Sequence, residues 1–210
     1  MDPAVTTNKT KNRSPLWLNV SWGVIALSIL AVFLIPKLFP LKPYVSSYSR
    51  EDYDKAMEGL DKAAGDRDRC YALGRAAKTS VYFGSPIVAK RYADELLELS
   101  RTQERTWNFG NAVHDGHEVL GLVALRRGNS DEAAKELLLA GGTPGSPQAD
   151  TFGPNMLLAK ELLEHGDRAT VIAYFDLCRK FWEMGLADLD KWTADAREGR
   201  TPDFGANLVH

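Results

Sequence analysis

The segment Trp107-Asn-Phe-Gly-Asn-Ala-Val-His-Asp-Gly-His-Glu118 holds the residue types best suited to chemistry in this chain. His114 and His117 stand three apart, and His114 and Glu118 stand four apart. On a helix each pair shares a face, so imidazole nitrogens and a carboxylate can reach one divalent cation. His114, His117 and Glu118 therefore form one candidate metal set, and a metal-dependent enzyme is the reading that follows from it. The spacing is not the His-Glu-x-x-His zinc signature. The expected role of these side chains is instead hydrogen bonding at a helix–helix contact or in solvent, with no resident metal or cofactor. The other two histidines, His165 and His210, add nothing to the set.

No nucleophile constellation assembles. Serines, histidines and carboxylates are present, but no strand-turn-helix elbow presents a serine. Pairs such as Glu95 and Glu98, or Asp131 and Glu132, read as solvated helix faces. The long segment Gly141 to Asn155 lacks the Gly-Lys-Ser/Thr ending of a phosphate-binding loop, which argues against nucleotide. Plain spacing between helices is its expected role, with ligand contact as the alternative. Pro154 suits the first turn of a following helix. Tyr174, Phe175, Cys178, Phe181 and Trp182 form an aromatic helical face, expected to be core rather than a cofactor box.

The elements that must position these residues read as helices throughout. Ser49 stands three residues before Asp52, as in a capping box. Tyr53, Met57, Leu60 and Ala64 follow at helical spacing. Three later passages share one pattern. Gly84 precedes Ala89, Ala93 and Leu96; Gly128 precedes Ala133, Leu137 and Ala140; Gly166 precedes Val171, Phe175 and Cys178. Each glycine is expected to open a tight turn, and the later residues to line one stripe of the next helix. Leu120-Gly121 and Leu158-Ala159 each place a large residue beside a very small one, which lets two helix backbones approach closely. Asn129, with Glu132 three residues on, supplies a cap. Leu186 to Arg197 sets Leu189, Trp192 and Ala196 on one side and charges on the other.

This arrangement resembles the tetratricopeptide repeat family. The best-matching stretch is His117 to Ala140, where Leu120, Gly121, Ala124, Gly128, Ala133, Leu137 and Ala140 occupy the family's helix-packing places. Units from about Asn155 to Trp182 and from about Arg69 to Ser100 match less closely. The two better units are offset by about 38 residues, against about 34 in the regular family. The resemblance implies an all-α fold, a right-handed α-hairpin stack of seven or eight helices closed by the last one. It also implies a concave groove that grips a peptide or another protein. Mapped onto this chain, the groove would hold Tyr71, Arg75, Lys78, Asp115, Glu118, Leu122, Met156 and Lys160. Glutamates at positions 75 and 78 would then weaken partner capture without unfolding the domain. The segment from Gly141 to Asn155 further resembles one found in bacterial proteins, which implies a bacterial source.

The run Leu16–Ile35 holds about twenty residues with no charge among them. As a helix it spans about 30 Å, the thickness of a bilayer's hydrocarbon core. Its bulky end, Ile35 to Pro40, does not suit signal cleavage, so an uncleaved single-pass anchor is expected. The division that follows is a basic tail over 1–14, a transmembrane helix over 15–36, a linker over 37–49, the helical domain over 50–199 and an irregular tail over 200–210. Lys9, Lys11 and Arg13 favour a cytoplasmic N-terminus and an extracytoplasmic domain on the periplasmic side.

The chain carries 26 basic and 28 acidic residues. Residues 1–50 hold six bases (Lys9, Lys11, Arg13, Lys37, Lys42, Arg50) and one acid, Asp2, which leaves 20 bases and 27 acids on the rest, net −7. That balance argues against nucleic acid. Cys70 and Cys178 make no disulfide framework and read as small buried hydrophobes, a bond between them staying open at this level. A self-associating envelope protein, a homo-oligomer through the stack, is a further reading.

Overall fold

The computed structural model describes residues 48–102 and 108–209. The apolar run Leu16–Ile35 and the basic tail lie outside the described residues, as do most of the linker, Trp107 and His210. Among the described residues no helix is long and apolar enough to cross a membrane.

All regular structure in this part is helical, with nine α-helices and two 3-10 turns among the described residues. They are α1 (Arg50–Asp61), α2 (Asp66–Phe83), α3 (Pro86–Thr102), α4 (Phe109–Arg126), α5 (Ser130–Gly141), α6 (Pro147–Phe152), α7 (Leu157–Glu164), α8 (Arg168–Cys178) and α9 (Leu186–Arg197). The capping box expected at Ser49 starts α1. The Asp52 amide donates to Ser49 Oγ at 3.1 Å, and the Ser49 amide donates to Asp52 Oδ2 at 2.9 Å.

The glycine turns do two jobs at once. At Gly128, φ is +75°, a region that costs an L side chain energy. The Gly128 amide donates to Leu125 O and the Asn129 amide to Ala124 O, which satisfies the last carbonyls of α4. Asn129 Oδ1 then accepts from the Glu132 amide at 3.1 Å and starts α5. Gly166 and Asp167 repeat the device between α7 and α8, with φ +93° at the glycine and Asp167 Oδ1 accepting from the Thr170 amide. Gly84 departs from the pattern: its φ is −101°, and Ser85 Oγ takes the amide of Val88 instead.

The three expected stripes are all buried. Ala89, Ala93 and Leu96, Ala133, Leu137 and Ala140, and Val171, Phe175 and Cys178 are each at most 1% exposed. Helices adjacent in sequence pack together as α2 on α3, α4 on α5, and α7 on α8. First helices also meet first helices, α2 on α4 and α4 on α7, and α5 lies against α8. Gly121 allows the approach of α4 to α7, since a Cβ there would lie 2.3 Å from Leu158 Cδ2. Arg126 on α4 grips Glu161 on α7 through two hydrogen bonds, at 2.5 and 3.0 Å.

The last helix seals the end of the core. Trp192 of α9 stacks near Phe175, Trp182 and Phe204, with ring centroids 6.1, 5.6 and 4.9 Å away. The aromatic face of α8 is therefore core. Two expectations need correction here. The segment from Gly141 to Asn155 is not plain connection: Pro147–Phe152 forms a short helix, with Ser146 Oγ accepting from the Ala149 amide at 2.9 Å. Ser146-Pro147 is the cap-then-proline pair that starts helices, and Pro154 lies before α7 rather than in its first turn. The tail after Gly199 is largely irregular but ordered against the core: Met156 donates its amide to Asn207 O at 2.7 Å, and Asn207 Nδ2 donates to Phe152 O and Pro154 O. Cys70 and Cys178 are both buried and free.

Candidate functional site

A cleft of about 270 Å³ opens between α2, α4 and the segment around α6. From α2 it takes Tyr71, Gly74, Arg75 and Lys78, at positions one helical turn apart. From α4 it takes Asn111, His114 and Asp115, again one turn apart. The third wall comes from Thr143, Gln148, Pro154 and Asn155, so the long segment contributes surface as well as spacing.

Side chains lock the third wall to α4. Thr143 Oγ1 donates to Gly110 O at 2.7 Å. Ser146 Oγ donates to Asn111 Oδ1 at 2.5 Å, and Asn111 Nδ2 donates to Gln148 Oε1 at 2.9 Å. Each partner is more than thirty residues away in sequence, which local spacing cannot reveal.

The cleft floor is charged. Lys78, 6% exposed, sits with its Nζ 3.0 Å from Asp115 Oδ2. Gly74 makes room for that carboxylate: a Cβ there would lie 2.8 Å from Asp115 Oδ2. Burial works against the Lys78 ammonium, but Asp115, Tyr48 and Glu118 outweigh it and raise its pKa. Burial likewise works against the Asp115 carboxylate, and Lys78 and His114 overcome it, so its pKa is lowered. His114 Nε2 lies 2.8 Å from Tyr174 OH, and Tyr174 OH donates to Asn155 O at 3.3 Å. Asn155 Nδ2 in turn donates to Tyr48 OH at 3.3 Å. Burial pushes the Tyr48 hydroxyl up to about 12, with Lys78 opposing.

Glu118 lies one turn beyond His114 and is 1% exposed. Neither of its oxygens has a hydrogen-bond partner of proper geometry. Burial pushes its carboxyl up to about 7; His114 and Lys78 pull it down, and the Leu158 amide pulls least.

The structure places the expected groove residues in three groups. Tyr71, Arg75, Lys78 and Asp115 line the cleft together. Glu118 lies behind them. Leu122 and Met156 are wholly buried core, and Lys160 pairs with Glu164 at 2.9 Å. Leu122 and Met156 belong to the main buried cluster, so the inward-facing positions do not all reach solvent. Position 78 is also no place for a glutamate. It would add a third buried carboxylate beside Asp115 and Glu118, and so damage the fold as well as the cleft.

The set His114, His117 and Glu118 does not assemble. His117 Nδ1 lies 2.7 Å from Glu136 Oε2 on α5, turned away from His114. Asp115 takes its place, and the donor atoms of His114, Asp115 and Glu118 lie within 4.8 Å of one another. At about 100° per residue, Asp115 is about 60° round the helix from Glu118, whereas His117 is about 100° away on the other side. The residues that spacing does not expose are Tyr48, Thr143, Gln148, Asn155 and Tyr174. Their only local signals are the amide-rich stretch before His114 and the length of the segment from Gly141 to Asn155.

No protein-family model matches this chain, and no curated protein or solved structure matches it.

Proposed function

We propose that this chain is a docking module: a tetratricopeptide-like stack of α-hairpins, tethered to a bilayer by Leu16–Ile35, whose cleft grips an extended segment of a peptide or protein partner. The observation that carries the reading is the composition of the cleft rim. Asn108, Asn111 and Gln148 bring carboxamides to the rim; they bond one another and Ser146 there, and because a carboxamide both donates and accepts, a partner main chain can join or replace those bonds. That matches the alternating N–H and C=O groups of an extended main chain. Tyr71, 64% exposed, adds a flat ring of the kind that anchors interfaces.

Size decides what enters. Sites for whole small molecules measure about 300–1,000 Å³. At about 270 Å³ this cleft suits one anchoring side chain, with the rest of the partner lying across α2 and α4. The stacking of α2 on α4 on α7, with recurrent small residues at their contacts, supports the repeat reading. The net −7 of the chain after residue 50 leaves nucleic acid out of the proposal.

A photo-crosslinking side chain at position 71 of the full-length protein tests this in native membranes. It is expected to give a discrete protein adduct, and the same probe at exposed Lys135 on α5 is expected to give none. Alanine at both Asn111 and Gln148 should cut the adduct roughly tenfold with helical content unchanged. Equal adducts from both probe positions, or none from position 71, would remove the cleft as the docking site.

A further inference from the structure

The floor of the cleft holds an arrangement that docking of a partner does not explain. Asp115 and Glu118 bring two carboxylates together below the surface, and Lys78 pairs with Asp115. Lys78 occupies Asp115 Oδ2. Asp115 Oδ1 faces His114 Nδ1 at 3.7 Å, too long for a hydrogen bond. Neither Glu118 oxygen has a hydrogen-bond partner of proper geometry. Buried polar groups are ordinarily satisfied, and an orphaned carboxylate is the costliest exception.

The tautomer of His114 follows from its other nitrogen. Tyr174 OH donates to Asn155 O, a carbonyl that can only accept. Tyr174 oxygen is therefore left as the acceptor for His114 Nε2–H at 2.8 Å. In the neutral ring the proton is on Nε2, and the lone pair is on Nδ1, pointing at carboxylate oxygen. In that form Nδ1 offers its lone pair on the side where the two carboxylates lie, so one cation can meet all three donors. A histidine held through its far nitrogen by a hydrogen-bond chain is also how proteins orient metal ligands.

We propose that His114 Nδ1, Asp115 Oδ1 and one oxygen of Glu118 hold a divalent transition cation of the zinc type at the floor of the cleft. Two donors at about 2.1 Å from a tetrahedral ion lie about 3.4 Å apart. The 3.7 Å between Nδ1 and Oδ1 is close to that value. One imidazole with two carboxylates suits zinc or manganese; calcium takes six to eight oxygens. Lys78 and Tyr174 act as positioning residues, the first through Asp115 and the second through His114. Three protein ligands leave a coordination place, and His114 and Asp115 border the cleft, so that place opens towards whatever enters it.

Untagged full-length protein in detergent, stripped with a chelator and titrated with Zn²⁺ alone, tests this by calorimetry. One site per chain is expected. Glu118→Gln keeps the side-chain shape and removes the orphaned charge, so it is expected to fold, and it should weaken binding at least about tenfold. His114→Gln should do the same, and Tyr174→Phe should weaken binding about tenfold. His117→Gln should leave it unchanged, because His117 serves Glu136. Zn²⁺ should raise the melting temperature of wild type and not that of Glu118→Gln. No heat of binding at about 100 micromolar Zn²⁺, binding that Glu118→Gln leaves intact, or equal losses from His117→Gln and His114→Gln would each overturn the site. The titration needs no partner, so its failure leaves the docking proposal standing.

Discussion

Glu118 concentrates the residue-scale consequences. It is buried near His114, Lys78 and Asp115, and burial pushes its carboxyl up to about 7 from an ordinary 4.5. In metal-free protein the folded chain therefore keeps this proton at pH values where the unfolded chain has lost it. The folded state binds more protons between about 4.5 and 7, so stability falls as pH rises through that window and is level above it. The size of the fall is on the order of 3 kcal/mol. Glu118→Gln should abolish that slope and leave the protein more stable than wild type at pH 8. Urea melts at several pH values in the presence of a chelator measure both effects. A wild-type slope of the opposite sign would mean that Glu118 is held ionised by a partner other than those named here.

At the scale of elements, the fold depends on small residues at helix crossings. Gly121 is the clearest test because the obstruction is defined: a Cβ would meet Leu158 Cδ2 at 2.3 Å and Glu136 Cβ at 3.2 Å. Gly121→Val should force α7 away from α4 and cost about 1–3 kcal/mol by overpacking. It should also loosen the Arg126–Glu161 pair that bridges the same two helices. A control at Gly128 separates crowding from backbone strain. No atom lies within 4 Å of a Cβ there, and only φ is unfavourable, so Gly128→Ala should cost about 1 kcal/mol. Thermal melts of the two variants should rank Gly121→Val below Gly128→Ala; the reverse order would place the strain in the turn and not at the crossing.

At the scale of the whole molecule, the proposed anchor and the docking domain make a claim about sidedness. Both native cysteines are buried, so neither competes with an introduced surface thiol. Ile87 is 76% exposed on α3 and suits that substitution. With the basic tail inside the cell, Ile87→Cys should react with a membrane-impermeant maleimide in cells whose inner membrane is intact. Labelling that appears only after lysis would place the domain on the cytoplasmic side and reverse the proposed orientation.

The amino-acid sequence alone determined the all-α class, the two Gly-Asn and Gly-Asp turns, the capping box at Ser49, the span of α9 and the nine stripe residues. Each depends on interactions within a turn or two of helix, where spacing is a direct reading of geometry. The tetratricopeptide resemblance pointed to Tyr71, Arg75, Lys78 and Asp115, and these four line one cleft. Only the tertiary structure decided the rest. It buried Leu122 and Met156 in the core and turned His117 towards Glu136 on α5. It joined His114 to Tyr174 across 60 positions and Tyr48 to Asn155 across 107. Helical period says which residues share a face; it does not say which face another helix will cover, because that depends on how distant segments fill the same space.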